Sequence, residues 1–318
     1  MPIVTERNYP TRLSRMANYG GAGFGAQSVL FALMSMVTGV FNLAFNVLGA
    51  RWLGPASYGA LVSVLAASNI MLSFNSAVTM GTSSLGSFPT IEEWLWVAKV
   101  ARVLLVGTVV LWACTMPITA LVTRFLHVGN ESLLFVIAMV MVLPGYMGAL
   151  NMGIIQGHQR FVVAGGINIG SAVIKLGVFG LVIIFDRNAI GGVLGVFAGI
   201  ICVWLVSAMY TRKLRQRMGT PNNAGEQRSA TSNRLFFQVI ILSIGGIVFF
   251  NFDLLVARHF LSVAQSGVFA GLGLSGRIIL FCTAPFAAVM YPYIVKVVDS
   301  RKRKQRLFWT VGITSALG

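Results

Sequence analysis

Acidic residues are scarce in this 318-residue chain: eight Asp and Glu stand against 24 Lys and Arg, a formal net charge of +16. Charge of either sign is thin as well, at 10% of residues, where soluble domains carry roughly 25%. An ordinary soluble protein is thereby excluded, and a hydrophobic fraction of 56% excludes a disordered one. Cysteine is limited to Cys114, Cys202 and Cys282, each inside an apolar run and none in CxxC or zinc-type spacing. They read as inert membrane thiols, not as a disulfide or metal framework. His127, His158 and His259 are scattered and Glu92-Glu93 is an adjacent pair rather than a metal-binding face, so neither an enzyme nor a cofactor is expected. The alternation of a transmembrane β-barrel is also missing, because the apolar runs are continuous.

Those runs are what the chain has in abundance. Stretches of about 20 apolar residues, the length that crosses a bilayer as a helix, occur at Phe24 to Gly49, Tyr58 to Met80, Trp94 to Val122 and Leu133 to Met152. Four more run from Phe161 to Phe185, Ile190 to Tyr210, Leu235 to Val256 and Gly267 to Val295, and a ninth begins at Leu307. Helices alone satisfy the backbone of such continuous runs in lipid. The expected fold is all-α, a polytopic transmembrane helix bundle. Glycine contributes 35 residues. Gly191, Gly195 and Gly199, at four-residue steps, and the Gly271 to Gly276 segment read as sites of close helix packing. The last is a literal GxGxxG, but no strand precedes it, so a dinucleotide site is not expected.

Eight spans divide the polar segments into two sets. One holds eighteen cations, among them Arg7, Arg12, Arg15, Lys99, Arg102 and Arg160, with further groups in Thr211 to Arg234 and Lys296 to Arg306. The other holds Arg51, Arg124, Arg187 and Arg258. By the positive-inside rule the first set and the N-terminus are cytoplasmic. The basic excess follows topology and contact with anionic lipid headgroups, not nucleic acid. The first seventeen residues have no apolar core, so the N-terminus reads as retained and basic.

Phe45 to Arg51 is similar to Phe252 to Arg258 at an offset of 207 residues. One inserted residue later, Ala56 and Gly59 match Ala264 and Gly267. Six spans lie between the copies, so the halves share orientation and are related by an axis along the membrane normal. The expected organisation is a cytoplasmic N-terminus at 1–23, a six-helix lobe at 24–210, a basic linker at 211–234 and the start of a second lobe at 235–318. A second lobe of equal length would reach about residue 435, so the chain is expected to be part of a longer protein of twelve to fourteen spans.

Leu48-Gly49-Ala50-Arg51-Trp52-Leu53-Gly54-Pro55-Ala56-Ser57-Tyr58-Gly59 resembles the first external loop of polysaccharide flippases in the multidrug/oligosaccharidyl-lipid/polysaccharide (MOP) exporter superfamily. Gly153 to Phe161 resembles the turn before that family's fifth helix, and Asp253 to Gly267 its seventh-to-eighth connection. The resemblance implies two six-helix lobes in a bacterial cytoplasmic membrane. It further implies export of a polyprenyl-diphosphate-linked oligosaccharide by alternating access, with polysaccharide-assembly proteins as partners.

Such a cargo calls for fixed cations in a polar cavity. Arg277 lies about 15 Å into the eighth span, where a charge costs at least ~2.5 kcal/mol and needs a wet cavity or a partner. Its planar fork suits a diphosphate; the alternative is an ion pair with Asp253 that locks two helices. Lys175, about 21 Å into the fifth span, either serves the cavity or snorkels outward. Asp253, three residues from a span end, is a proton or cation site, or pairs with Arg258 or Arg277. Arg51 and Arg258, at equivalent repeat positions, read as interfacial anchors with a possible part in binding left open by the resemblance. Asn42, Asn46, Asn69 and Asn75 line a sugar-binding surface or bond between helices. Two functions of other kinds stand beside export. A cation-coupled drug antiporter of the same superfamily would want cavity acids, which are nearly absent, and a membrane-embedded glycosyltransferase or polymerase would want catalytic carboxylates and a large external loop.

Overall fold

A computed structural model describes residues 22–83, 91–125, 132–185, 188–218, 245, 251–262 and 264–273. The expected all-α bundle is what forms, with no strand among the described residues. In chain order the helices are α1 (Ala22–Met71), α2 (Phe74–Ser83), α3 (Ile91–Phe125), α4 (Ser132–Val140), α5 (Val142–Gly157), α6 (Phe161–Phe185) and α7 (Ala189–Met218). Two short helical segments at 251–260 and 264–273 follow as α8 and α9.

α1 is two helices. Gly54 has φ 74° and ψ 169°, a conformation that strains any residue with a Cβ, and Pro55 after it has no N–H to continue the ladder. The chain reverses there, because the Tyr58 hydroxyl meets Asn46 Oδ1 at 3.4 Å, while twelve residues of continuous helix would hold them about 18 Å apart. The external loop expected between Gly49 and Tyr58 is therefore reduced to one glycine. Limbs 22–53 and 55–71 form two spans.

The second span, expected to be continuous to Met80, is broken at Leu72 and Ser73. The Asn75 amide bonds the Leu72 carbonyl at 2.9 Å, which deprives the Met71 carbonyl of its usual donor; the Tyr146 hydroxyl of α5 replaces it. α4 and α5 are in turn one span interrupted at Met141, where Pro144 has no N–H to give and Trp112 of α3 donates to the Met139 carbonyl at 3.0 Å. Six spans thus cover 22–218, as the apolar runs required. α7 extends to Met218, eight residues beyond the expected span end, so the first part of the basic linker is helical.

Packing is tightest where glycine removes the side chain. A Cβ on Gly195 would sit 2.7 Å from the Lys175 carbonyl, one on Gly199 3.1 Å from that of Ser171, and one on Gly191 3.0 Å from Val182. α6 and α7 therefore meet backbone to backbone, and Ser171 Oγ adds a bond to the Gly199 carbonyl at 2.9 Å. Gly271 and Gly273 do not repeat this, having nothing within 4 Å among the described residues. The largest core cluster joins both limbs of α1 to α4, α6 and α7 through Phe45, Leu61, Leu134, Phe179 and Val193. α3 lies at the periphery, with Leu95, Val103 and Val106 more than half exposed, as lipid contact requires. Lys99, Arg102, Arg160, Arg212, Lys213 and Arg215 are all exposed at the end opposite Gly54. The loop asymmetry in charge persists in three dimensions.

Candidate functional site

Asn42, Phe45 and Asn46 stand three and four residues apart and share one face of the first limb of α1. α6 presents Lys175 and, one turn on, Phe179 to that face. The Lys175 ammonium donates to Asn42 Oδ1 and lies 4.6 Å from the centre of the Phe45 ring. Phe45 sets its ring against that of Phe179 at 5.0 Å, and Phe179 is stacked with Trp52 at 6.1 Å. Asn46 Nδ2 donates to the Asn42 carbonyl at 2.8 Å, and Asn46 Oδ1 takes the Tyr58 hydroxyl. The result is a polar string, Lys175, Asn42, Asn46 and Tyr58, backed by Phe45, Phe179 and Trp52.

Lys175 is therefore drawn inward and does not snorkel. Its partners are a neutral amide and an aromatic face, which orient the ammonium without cancelling its charge. An ammonium has three donors, and Asn42 takes one. Lysine suits an anion here as a point charge on a flexible stem, without the planar fork of arginine. The four acids of the first six spans, Glu92, Glu93, Glu131 and Asp186, all lie at or beyond span ends.

Other expected residues are distributed differently. Asn69 is exposed near the far end of the second limb, about 16 Å beyond Tyr58 along the helix. Arg51 is exposed near the Gly54 break, consistent with an anchor. Arg258, its repeat equivalent, is not an anchor: it is 2% exposed and donates to Ser266 Oγ at 2.8 Å, because α9 folds back over it. Asp253 is exposed and accepts from the Leu254 amide at 2.8 Å, so it caps its own backbone while Arg258 turns to Ser266. Asn75, beside the break at Leu72, has a buried Oδ1 with no hydrogen-bond partner among the described residues. Arg277 lies outside the described residues. Sequence reasoning missed Phe45, Tyr58 and Phe179. The available signal was spacing, since Phe45 falls between Asn42 and Asn46 on their face and Phe179 is four residues after Lys175.

No protein-family model matches the chain, and no curated protein does. Among solved structures it is similar to the MATE transporter ClbM in complex with Rb+, with a TM-score of 0.51 and 18% sequence identity. The match covers 86% of this chain and 62% of that one, so the chain spans less than two thirds of that transporter's length. The likeness is one of fold: the chain is a helical bundle similar to that of a MATE transporter, with several helices long and apolar enough to cross a membrane, as in a multi-pass membrane protein.

Proposed function

We propose that the protein carrying this chain is a membrane transporter of the MOP exporter superfamily that moves a polyprenyl-diphosphate-linked oligosaccharide from the cytoplasmic to the outer leaflet. The lobes alternate access, and the end of the bundle bearing Lys99, Arg160 and Arg212 faces the cytoplasm. One observation supports this reading above the others: Lys175, inside a membrane span, is held by the Asn42 amide and the Phe45 ring, neither of which carries a charge that would neutralise an ammonium meeting an anionic ligand. Asn46, partly exposed beside it and oriented by the buried Tyr58 hydroxyl, offers an amide group of the kind that sugars bond. A diphosphate diester carries about two negative charges. Each gains ~2.3 kcal/mol per 100 mV when moved outward down an inside-negative potential, so voltage assists export. Arg277, from its depth in the eighth span, would supply a second, bidentate contact.

A cation-coupled antiporter is the second reading, and the likeness to a MATE transporter holding Rb+ is what favours it. The placement of the first lobe's acids outside its spans weighs against it. Reconstitution of the protein with both lobes separates the two. Lipid-linked oligosaccharide should reach the outer leaflet at a rate that rises with inside-negative potential. Efflux of cationic solutes coupled to Na⁺ or H⁺, without lipid-linked sugar crossing, would replace this proposal with the second reading.

A further inference from the structure

Gly59 and Gly267 occupy equivalent positions in the internal repeat, and in the folded chain they touch each other. A Cβ on Gly59 would lie 3.1 Å from the Gly267 nitrogen and 3.2 Å from its Cα, and a Cβ on Gly267 would collide with the Pro55 carbonyl. Equivalent residues of two repeats meet only where the axis relating them passes between them. The contact therefore marks that axis and joins the second limb of α1 to α9. It lies near the Gly54 end, since Gly59 is about 6 Å along the helix from Pro55.

Arg258 lies against the same crossing. Its side chain is 2% exposed, donates to Ser266 Oγ at 2.8 Å, and places Nη1 3.0 Å from where a Gly59 Cβ would sit. It ties α8 to α9 one residue before Gly267. Its repeat equivalent, Arg51, is exposed, so the device is one-sided.

We propose that the Gly59 and Gly267 crossing, clamped by Arg258, is the closure between the lobes at the Gly54 end, and that it parts when the transporter opens to that side. The physical balance suits a contact that must open and shut. Closure gains backbone packing but removes a guanidinium from water; opening loses the packing and rehydrates Arg258. Neither state gains without a cost that favours the other. Arg258 acts here as a positioning residue, holding α9 so that Gly267 meets Gly59. The proposal rests on alternating access but not on which cargo is carried.

The test uses the protein with both lobes, freed of its native cysteines including Cys114, Cys202 and Cys282, in lipid nanodiscs with spin labels at R51C and F260C, exposed positions eight residues before Gly59 and seven before Gly267. Pulsed electron resonance should give a short and a long distance, with the short one dominant. Gly267→Leu should raise the long-to-short ratio about tenfold or more. Arg258→Met should shift it the same way by less, and Arg258→Lys by less again. Gly107→Leu, placed where a Cβ meets nothing within 4 Å, should leave it unchanged. An unchanged ratio in Gly267→Leu overturns the proposal whatever the cargo proves to be. If Gly267→Leu does not fold, Gly267→Ala decides: a smaller shift to the long distance supports the closure, while no shift or failure to fold marks a permanent joint and overturns it. Loss of the lipid-linked-sugar reading alone leaves these distances as they are.

Discussion

Replacing Lys175 with methionine separates a binding role from a structural one, because the energies on the two sides differ. The ammonium gains a charge-assisted hydrogen bond to Asn42, roughly 1.5 to 3 kcal/mol, and a cation–π contact with Phe45, roughly 0.5 to 2 kcal/mol. Against these stands a cost of at least ~2.5 kcal/mol for a charge inside a membrane span. The terms nearly cancel. Methionine keeps the length and apolar stem, so Lys175→Met should change folding stability by no more than about 2.5 kcal/mol. Transport should respond more strongly. A charge-assisted contact to a phosphate, worth roughly 1.5 to 3 kcal/mol, corresponds to a loss of about 10-fold to 150-fold when deleted. Lys175→Arg should recover a large part of it by restoring the charge. The assay is leaflet-resolved quantitation of lipid-linked oligosaccharide in cells whose sole copy of the full protein carries the variant, at matched expression, with thermal unfolding of purified protein alongside. Lys175→Met that flips within twofold of wild type would refute the assignment. So would a transport loss that simply tracks a collapse in stability.

Three further expectations can be checked with simpler measurements. A cysteine placed at Asn223, in the basic segment after α7, should be unreactive to an impermeant thiol reagent added outside intact cells, and labelling there would invert the proposed orientation. Gly153→Ala should destabilise by about 1 to 3 kcal/mol in thermal or denaturant unfolding, because the new methyl would collide with Thr82 and lie 2.5 Å from the Thr79 carbonyl, whereas Gly170→Ala, with open space around it, should be neutral or stabilising by up to ~1 kcal/mol. Transport by variants at Arg277 should rank Arg, then Lys, then Ala if a bidentate fork holds the diphosphate, and equal rates for Arg and Ala would remove it from the binding site.

The six spans over residues 22–218, helix type and the segregation of cations among the described residues were legible from one-dimensional pattern, because the bilayer sets a length of about 20 residues and forbids unsatisfied backbone. The close approach of α6 and α7 was legible too, through Gly191, Gly195 and Gly199, since absence of a side chain acts locally wherever a neighbour arrives. The repeat placed Gly59 and Gly267 in equivalence, but only the folded chain brought them into contact. Gly54–Pro55 and Pro144 are local break signals, but two of the breaks are also met by long-range donors: Tyr146 reaches the Met71 carbonyl and Trp112 that of Met139, and no local window holds both members of either pair. The site shows the same division. Lys175 could be singled out as a charge in lipid, yet its direction was undetermined, because a lysine stem reaches either outward to water or inward to a partner. Asn42 and Phe45, about 130 residues earlier in sequence, decided for inward. Arg51 and Arg258 carry the same residue in the same repeat position and end in opposite environments. Burial belongs to the surroundings that packing assembles, and α9 covers Arg258 while Arg51 is left exposed.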